Sequence, residues 1–420
     1  MKLSRKPIQV DEVMKSIWKY RQQGISEIVS IDNDSGRFLG EDIIAKTDVP
    51  AFDKSPYDGF ALRAEDTVQA SSDNRIEFEV IDKIGAGYVS HKKVEQFQAI
   101  RIMTGAQIPS GCDAVIMMEL VNEINRDGKN YIQIKRKVKK GDNISFQGED
   151  IKLGTQLSSK GTKINPGIQS LLATFGYQDV AVMRKPKIGV IATGDELLNV
   201  NEPLAPGKIR NSNSYMIVEQ INRSGAEAIY YGKVPDNFTA LHDALKKAIN
   251  EVDIIITIGG ISVGDFDYMP DVYEALGADI LCNKIAMRPG SVTTIASVKG
   301  KLLYGLSGNP SACYVGFELF ARPMIRHLLG SDKPFAKKVK AILDADFPKT
   351  NPFTRFVRSK LYARDTQIVV APIGMDKSNI IYSLAIANCL MILPGGTRGY
   401  QKGMEVEVLL LEDQEGSEIF

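Results

Sequence analysis

The sequence has 420 residues, of which 44% are hydrophobic, so it is long enough for about two to four domains with separate cores. Its 52 basic and 51 acidic residues leave a net charge of +1, which argues against a nucleic-acid-binding or membrane-surface protein. The four cysteines are widely separated and form no C-x-x-C motif, so zinc sites, iron–sulfur sites and disulfides are not expected. Without a recognisable signal peptide or an apolar run of about 18 residues, we expect a cytoplasmic protein.

The N-terminal part of the chain combines a helical pattern with a strand pattern. Apolar residues recur at helical spacing over 8–24, and residues 25–31 are strand-like. Residues 39–45 fit either a helix or a strand. The following stretch, 49–61, is rich in turn residues and predicts a loop that presents Asp58.

Residues 76–146 contain short alternating apolar runs separated by turn residues. This pattern predicts an all-β module. The segment 147–184, with an apolar helix near residues 168–175, returns the chain from that module.

The next part of the chain repeats strand–loop–helix units. The predicted strands are 187–192, 227–231, 254–258 and 301–306, and the predicted helices are 214–224, 239–250 and 311–329. Alternating elements of these lengths predict a parallel, doubly wound sheet. Beyond residue 330 the pattern returns to short strands, which predicts a small barrel or sandwich.

The predicted fold class is therefore a multidomain α/β and β protein. It has a doubly wound parallel-sheet core domain, an inserted all-β module and a small C-terminal β-barrel. The expected domains are 1–45 together with 147–184, then 46–146, 185–330 and 331–420.

A glycine loop follows the β-branched run at residues 254–258, which reads as a strand buried on both faces. The loop contains Gly259, Gly260, Ser262, Gly264, Asp265 and Asp267. Glycines allow a close approach of the backbone to a ligand, and ligands of open α/β sheets bind beyond the carboxyl ends of the strands. The loop therefore indicates a phosphate group with a divalent cation nearby. The alternative is a tight turn with solvated carboxylates.

Other polar groups follow neighbouring strands and are expected to converge with this loop: Asp195, Glu196, Asp236, Asp265, Asp267 and Asn309. Clustered carboxylates without histidine favour a hard cation such as Mg²⁺. The three histidines lie outside these loops, so a histidine-based triad is not supported. Lys284 and Arg288 are expected near the site, where they would bind phosphate or another oxyanion. Ordinary solvated charges are the alternative for these two residues.

Five motifs carry a family resemblance, and they occur in order over essentially the whole chain. They are MTGAQIP at 103–109, TGDEL at 193–197, GGISVGDFDY at 259–268, GNP at 308–310 and PGG at 394–396. Together they resemble the molybdopterin molybdenumtransferase family, which includes MoeA and the gephyrin E domain.

The resemblance implies an enzyme that inserts molybdate into adenylylated molybdopterin and releases AMP, with Mg²⁺ as cofactor. It also implies a MogA-like molybdopterin-binding core domain. The family forms homodimers, with a cleft between the α/β domain of one subunit and the β module of the other. Molybdopterin adenylyltransferase and molybdoenzyme apoproteins are possible partners; no nucleic acid or membrane is expected.

When the functional residues of the family are carried over to the matching positions of this sequence, the resemblance adds four residues to the site: Asp58, Thr104, Asp150 and Ser378. The expected catalytic residues are Asp58, Thr104, Asp150 and Glu196. The expected metal ligands are Asp58, Asp150, Glu196 and Asp265. The expected substrate-binding residues are Thr193, Gly194, Asp195, Asp236, Gly259, Gly260, Ser262, Gly264, Asp265, Asp267, Lys284, Arg288, Asn309 and Ser378.

The sequence departs from the family pattern at three places. Tyr57 replaces a methionine, Ser307 replaces a proline, and RPGSV at 288–292 stands where the family has K-P-G-K-P. The missing second lysine leaves open a paralogue with altered metal preference, such as tungstate, or altered substrate preference, because arginine and lysine are not interchangeable.

Two further functions remain as alternatives. Adenylyl transfer onto molybdopterin is carried out by a related α/β domain that stands alone, and the extra β modules argue against it. A non-catalytic scaffold should have lost its carboxylates, whereas Asp58, Glu196, Asp236 and Asp265 are all present.

Overall fold

The computed structural model describes residues 6–260, 268–350, 352–411 and 416–417. The chain forms two units. Unit 1 contains Met1–Glu41, Ser159–Gln169 and Gln178–Phe420, and unit 2 contains Asp42–Ser158 and Ser170–Tyr177. The four-domain division expected from the sequence stays a prediction.

Unit 1 begins with helix α1 (Val10–Trp18) and strand β1 (Ser26–Ser30). The buried face of α1 consists of residues at helical spacing: Val10, Val13, Met14 and Ile17. The helix ends earlier than expected from residues 8–24, because no apolar residue continues this buried face beyond Trp18 except the half-buried Tyr20.

Unit 2 is built from strands. They are β2 (Ile43–Ile44), β3 (Gly59–Leu62), β4 (Ile76–Ile84), β5 (Gln98–Ile102), β6 (Ala114–Met117), β7 (Val121–Arg126), β8 (Lys129–Ile134) and β9 (Gln156–Ser158). Six of them form one sheet in the order β6-β3-β5-β4-β8-β7, and β2 pairs with β9. The stretch 39–45, left open between helix and strand, thus contributes β2.

Strand β3 starts inside the stretch that the sequence predicted as a loop. Its Phe60 and Leu62 are buried in a core with Phe78 and Ile132. This burial explains the strand: it pairs with β5 on one side and β6 on the other, so it is the inner strand of that part of the sheet. Asp58 remains in the loop, immediately before the strand begins.

Helix α2 (Pro166–Thr174) begins in unit 1 and ends in unit 2. Strand β10 (Asp179–Met183) belongs to unit 1, where it pairs antiparallel with β1. The α/β part follows. Its strands are β11 (Lys187–Thr193), β12 (Leu197–Leu198), β13 (Ile209–Arg210), β14 (Glu227–Val234), β15 (Ile254–Ile258), β16 (Asp279–Cys282), β17 (Met287–Arg288), β18 (Thr294–Val298) and β19 (Lys301–Leu306). Its helices are α3 (Ser212–Arg223), α4 (Phe238–Glu251), α5 (Met269–Ala275), α6 (Pro310–Gly316) and α7 (Arg322–Leu328).

The α/β sheet has the strand order β14-β11-β15-β19-β18-β16. The first four strands are parallel, as predicted, but β18 runs antiparallel to β19, and β16 in turn runs antiparallel to β18. The cause is local: Lys299 and Gly300 both have positive φ, at 49° and 77°, and form a two-residue turn between β18 and β19. Such a turn can connect only antiparallel strands.

Strand β15 is buried along its whole length, in agreement with its β-branched sequence. Ile254, Ile256 and Ile258 face one core of the unit, and Ile255 faces the other. The long helix predicted at 311–329 is interrupted by a π-helical turn, Phe317–Ala321, between α6 and α7.

The C-terminal part of unit 1 forms a barrel. Its elements are β20 (Phe335–Ala336), β21 (Lys338–Leu343), β22 (Thr354–Arg364), β23 (Gln367–Pro372), α8 (Tyr382–Ile386), β24 (Cys389–Leu393), β25 (Glu405–Leu410) and β26 (Gly416–Ser417). Five strands pair side by side in the spatial order β22-β23-β21-β25-β24, and β24 also pairs with β22, which closes the barrel. The predicted fold class is confirmed, with a mixed rather than wholly parallel α/β sheet. In the part of the chain that the structure describes, no helix is long and apolar enough to cross a membrane.

Candidate functional site

The candidate site in unit 1 lies at the carboxyl ends of parallel strands. Strand β15 pairs with β11 on one side and β19 on the other, and all three run in the same direction. Their following loops therefore emerge at the same edge of the sheet, the position where open α/β sheets bind ligands. The loops begin with Gly194, Gly259 and Ser307.

Gly259 and Gly260 approach β11 so closely that neither position has room for a side chain. Gly259 and Gly260 have φ values of 93° and 63°, in the region that glycine adopts without strain. A Cβ on Gly259 would lie 2.5 Å from the Thr193 carbonyl oxygen, and one on Gly260 would lie 2.9 Å from Thr193 Cγ2. Both glycines are thus required for the shape of this edge.

Thr193 connects the glycine loop to Asp236, which follows β14. The Thr193 hydroxyl donates a hydrogen bond to the Asp236 carboxylate. Thr193 is only 2% exposed, whereas Asp236 is half-buried. The structure therefore brings together four of the predicted site residues: Thr193, Asp236, Gly259 and Gly260.

Asp195 and Glu196 extend from the same edge and are exposed. Gly194 has a φ of 146°, and a Cβ there would lie 2.6 Å from a carboxylate oxygen of Glu196. The backbone of this turn is held by Lys208, whose ammonium donates to the Asp195 carbonyl at 2.7 Å, and by Ile209, whose N–H donates to the Glu196 carbonyl at 2.9 Å. The turn is therefore fixed while both carboxylates stay accessible.

The third loop brings Asn309 to the start of α6. Gly308 lies against the glycine loop, since a Cβ on Gly308 would be 4.0 Å from the Gly259 Cα. Asn213, from the first turn of α3, donates from Nδ2 to the Gly308 carbonyl at 2.7 Å. Asn213 was not singled out in the sequence. The run Asn-Ser-Asn-Ser at 211–214 before an amphipathic helix, typical of a helix start, was the available signal.

Ser378 lies beside the same helix start. Its carbonyl accepts a hydrogen bond from the Ser311 N–H at 3.0 Å, and the Ser311 hydroxyl donates to the Ile380 carbonyl at 2.5 Å. Close to Ser378 in sequence, Asp376 accepts a hydrogen bond from Arg355 at 2.7 Å. Arg355 and Asp376 are both mostly buried, and sequence analysis missed this pair because its members are 21 residues apart.

Lys284 and Arg288 are held by backbone pairing outside the α/β sheet. The Lys284 carbonyl accepts from the Ile8 N–H at 3.1 Å. Arg288 is exposed on β17, which pairs with β22 so that Arg288 is opposite Arg355. The segment is thus extended rather than helical, and the anion-binding role of both residues stays a prediction.

In unit 2, Asp58 and Thr104 form one hydrogen-bonded pair. The Asp58 carboxylate accepts from the Thr104 N–H at 2.7 Å and from its hydroxyl at 2.8 Å. These two donors lower the pKa of Asp58 below its usual value, because they stabilise the ionised form. Asp150 is exposed, and its N–H donates to the Val49 carbonyl at 3.1 Å.

The predicted metal ligands are divided between the two units. Asp58 and Asp150 belong to unit 2, Glu196 belongs to unit 1, and Asp265 lies outside the described residues. Ser262, Gly264 and Asp267 also lie outside them. Among the residues whose positions are described, no group of three or more His, Cys, Asp or Glu side chains could hold a metal ion. The predicted metal set therefore stays a prediction.

Three family models match the chain. They describe the MoeA N-terminal region (domain I and II) at residues 8–176, a probable molybdopterin binding domain at 189–327, and the MoeA C-terminal region (domain IV) at 340–411. Molybdopterin molybdenumtransferase of Bacillus subtilis (strain 168) is 54% identical over 414 residues, covering 99% of this chain and 96% of that protein. The chain belongs to the MoeA family. The family predicted from the five motifs is confirmed.

Other MoeA relatives agree with this assignment. A molybdopterin molybdenumtransferase of Staphylococcus epidermidis (strain ATCC 12228 / FDA PCI 1200) is 50% identical over 408 residues, covering 97% of this chain and 96% of that protein. The crystal structure of the molybdopterin biosynthesis MoeA protein from Pyrococcus horikoshii matches with a TM-score of 0.85 and 31% identity. That match covers 96% of this chain and 99% of the other, so the whole architecture is that of a MoeA protein.

The close packing of Gly260 predicts a specific energetic coupling to Thr193. Gly277 supplies a matched control, because its φ of 65° is nearly that of Gly260 and a Cβ there would contact nothing within 4 Å. We expect Gly277→Ala to cost about 1–2 kcal/mol of unfolding free energy from the backbone alone. Gly260→Ala should cost about 1–3 kcal/mol more, because its Cβ would lie 2.9 Å from Thr193 Cγ2 and 3.2 Å from Met269 Cγ.

The decisive measurement is a double-mutant cycle by urea denaturation. Thr193→Ser removes Cγ2 and keeps the hydroxyl. Combined with Gly260→Ala, it should recover at least about 1 kcal/mol of the lost unfolding free energy, whereas combined with Gly277→Ala it should recover none. Equal losses for the two alanine variants, or no recovery, would show that the loop relaxes away from Thr193.

Proposed function

We propose that this protein inserts molybdate into adenylylated molybdopterin and releases AMP, with Mg²⁺ as cofactor. The observation that carries the proposal is the glycine loop at 259–260, packed against Thr193 beside Asp236 in a chain of the MoeA family. The curated relatives are named molybdopterin molybdenumtransferase, so a role in molybdenum cofactor biosynthesis is favoured over a non-catalytic scaffold.

The edge of the α/β sheet would bind the substrate. Gly259 and Gly260 are partly exposed and carry no side chain of their own, so their backbone can approach phosphate or pterin. The Thr193 hydroxyl is oriented by Asp236. The Asn213 bond to the Gly308 carbonyl fixes the backbone next to Asn309, which supports Asn309 as a further substrate contact. The further substrate contacts that we propose are Gly194, Asp195, Ser262, Gly264, Asp265, Asp267, Lys284, Arg288 and Ser378.

The carboxylates suit a magnesium ion that is shared with phosphate oxygens. Mg²⁺ usually binds to proteins through one or two carboxylates and completes its coordination with water and substrate phosphates. Glu196 is exposed, and the pKa of Asp58 is lowered by Thr104, so that carboxyl remains ionised at neutral pH. We propose that the carboxylate ligands of Mg²⁺ are drawn from Asp58, Asp150, Glu196 and Asp265. Bound there, Mg²⁺ would neutralise charge on the phosphoanhydride oxygens.

Substitution of the carboxylates tests the reaction. We expect Asp58→Asn and Glu196→Gln each to reduce molybdate-dependent AMP release at least about 100-fold, which corresponds to roughly 2.7 kcal/mol of transition-state stabilisation. Glu219→Gln, an exposed carboxylate on α3, is the control and should retain full activity. AMP is measured by chromatography after incubation with adenylylated molybdopterin, molybdate and Mg²⁺.

The same assay separates the alternatives. AMP release that requires tungstate instead of molybdate would indicate a paralogue with altered metal preference. Absence of AMP release by the unsubstituted protein with either oxyanion would contradict the proposed reaction. Near-normal rates in both carboxylate variants would show that the catalytic assignment is wrong.

We propose that Arg288 binds an anion and so covers part of the role of the lysine that the family has at the position of Ser291. A guanidinium can bind two oxygens of one oxyanion at once, whereas an ammonium acts as a point charge. We expect Arg288→Ala to raise the apparent Michaelis constant for molybdate or for the nucleotide substrate several-fold. Ser291→Lys should lower the same constant. Titrations of molybdate at saturating nucleotide substrate give both values. If neither constant moves, Arg288 is a solvated charge and the anion binds elsewhere.

We further propose a cytoplasmic homodimer, as the family resemblance implies. Molybdopterin adenylyltransferase would supply its substrate and molybdoenzyme apoproteins would receive its product. Sedimentation velocity should give the mass of a dimer of the 46.2 kDa chain at micromolar concentration. A monomer with full activity under the same conditions would contradict this proposal.

A further inference from the structure

Unit 1 contains a cavity whose lining residues belong to none of the loops of the candidate site. Its volume is about 550 Å³, and it is formed by residues from three segments, 35–38, 159–166 and 326–333. Binding sites for small molecules commonly have volumes of about 300–1,000 Å³. The cavity is therefore large enough for a small organic ligand rather than a single ion.

The lining is strongly basic. Lys160, Lys163, Arg326 and Lys333 contribute four cationic side chains, and Asp332 contributes one carboxylate. Arg326 is only 5% exposed, and its guanidinium lies 4.9 Å from the centre of the Phe38 ring. This cation–π contact holds the guanidinium at the cavity wall, where its positive charge contributes to the attraction of an oxyanion.

Lys163 experiences the charge of Arg326 directly. Burial and the nearby Arg326 charge together lower the pKa of the Lys163 ammonium, because both disfavour its cationic form. An anion between the two groups would offset this repulsion and favour the cationic form of the lysine. The cavity is thus electrostatically suited to an anionic ligand.

The start of α2 adds a second source of positive potential. Asn165 and Pro166 line the cavity, and the Asn165 side chain caps the helix by accepting from the Ile168 N–H at 3.0 Å. The N-terminal end of a helix carries a partial positive charge. Thr162 also lines the cavity and carries a hydroxyl of the kind that hydrogen-bonds phosphate oxygens.

We propose that this cavity binds a phosphate monoester, with its phosphate between Lys163 and Arg326 and its organic part in the remaining volume. The ligand is recognised through its phosphate group, so inorganic phosphate and pyrophosphate should bind as weaker surrogates. The proposal does not depend on the reaction proposed above, and its test requires no turnover.

The test is protection of Lys163 from acylation in the full-length protein. A small acylating reagent modifies lysines, and peptide mass spectrometry measures the rate at each one. At constant ionic strength, AMP, inorganic phosphate and pyrophosphate are titrated in separate arms, with chloride as the reference anion. We expect at least about fivefold protection of Lys163 by AMP at millimolar concentration, less by phosphate, and none at Lys246 on α4, which lies outside the cavity.

Variants assign the protection to the cavity. Lys333→Met keeps the length of the side chain and removes one charge, so it should weaken protection of Lys163 several-fold; Lys246→Met should leave it unchanged. Protection by phosphate and pyrophosphate but not by AMP would show that the cavity binds a free oxyanion rather than a phosphate monoester, which would overturn the proposal. Equal protection by chloride, absence of protection in every arm, or protection unaffected by Lys333→Met would also overturn it.

Discussion

The candidate site depends on the parallel register of β11, β15 and β19. Each strand is hydrogen-bonded to the next in the same direction, so three loops far apart in sequence start at one edge of the sheet. The approach is close enough that Gly259 and Gly260 pack directly on the Thr193 backbone and side chain. A shift of one residue in any of these ladders would turn the loop-proximal side chains to the opposite face of the sheet.

Contacts from outside the sheet keep these loops in place. Asn213 of α3 bonds to the Gly308 carbonyl, and the start of α6 bonds to the backbone of residues 378 and 380 through Ser311. The segment around residue 378 is in turn attached to the barrel by the Arg355–Asp376 pair. The barrel therefore contributes to the position of a site loop as well as to the stability of its own core. A substitution in the barrel can act on either of the two.

Unit 2 contains a carboxylate, that of Asp58, whose position and ionisation are fixed by hydrogen bonds from Thr104. Asp58 lies at the end of a loop whose direction is set by β3, and Thr104 follows β5, the neighbouring strand of the same sheet. Two hydrogen bonds from one residue hold the carboxylate in its ionised form. Such a carboxylate is suited to bind a cation or to orient a phosphate-bound water rather than to act as a general acid.

Sequence alone determined the family, the fold class and the four parallel strands of the α/β sheet, and it predicted the four residues that the structure brings together at the sheet edge. These features follow from local patterns: the β-branched run before Gly259, the alternation of strands and helices, and five short motifs in the right order. It also predicted the buried strand β15 and the β-rich C-terminal part, since periodicity and turn residues are properties of neighbouring residues.

Only the tertiary structure decided how distant residues meet. The antiparallel strands β16 and β18, the closure of the barrel between β24 and β22, and the pairs Asn213–Gly308 and Arg355–Asp376 depend on contacts between separate segments. The same holds for the basic cavity, whose cations come from stretches more than 150 residues apart. A linear pattern records which side chains are available, but distances across the fold determine which charges, hydrogen bonds and cavities they form.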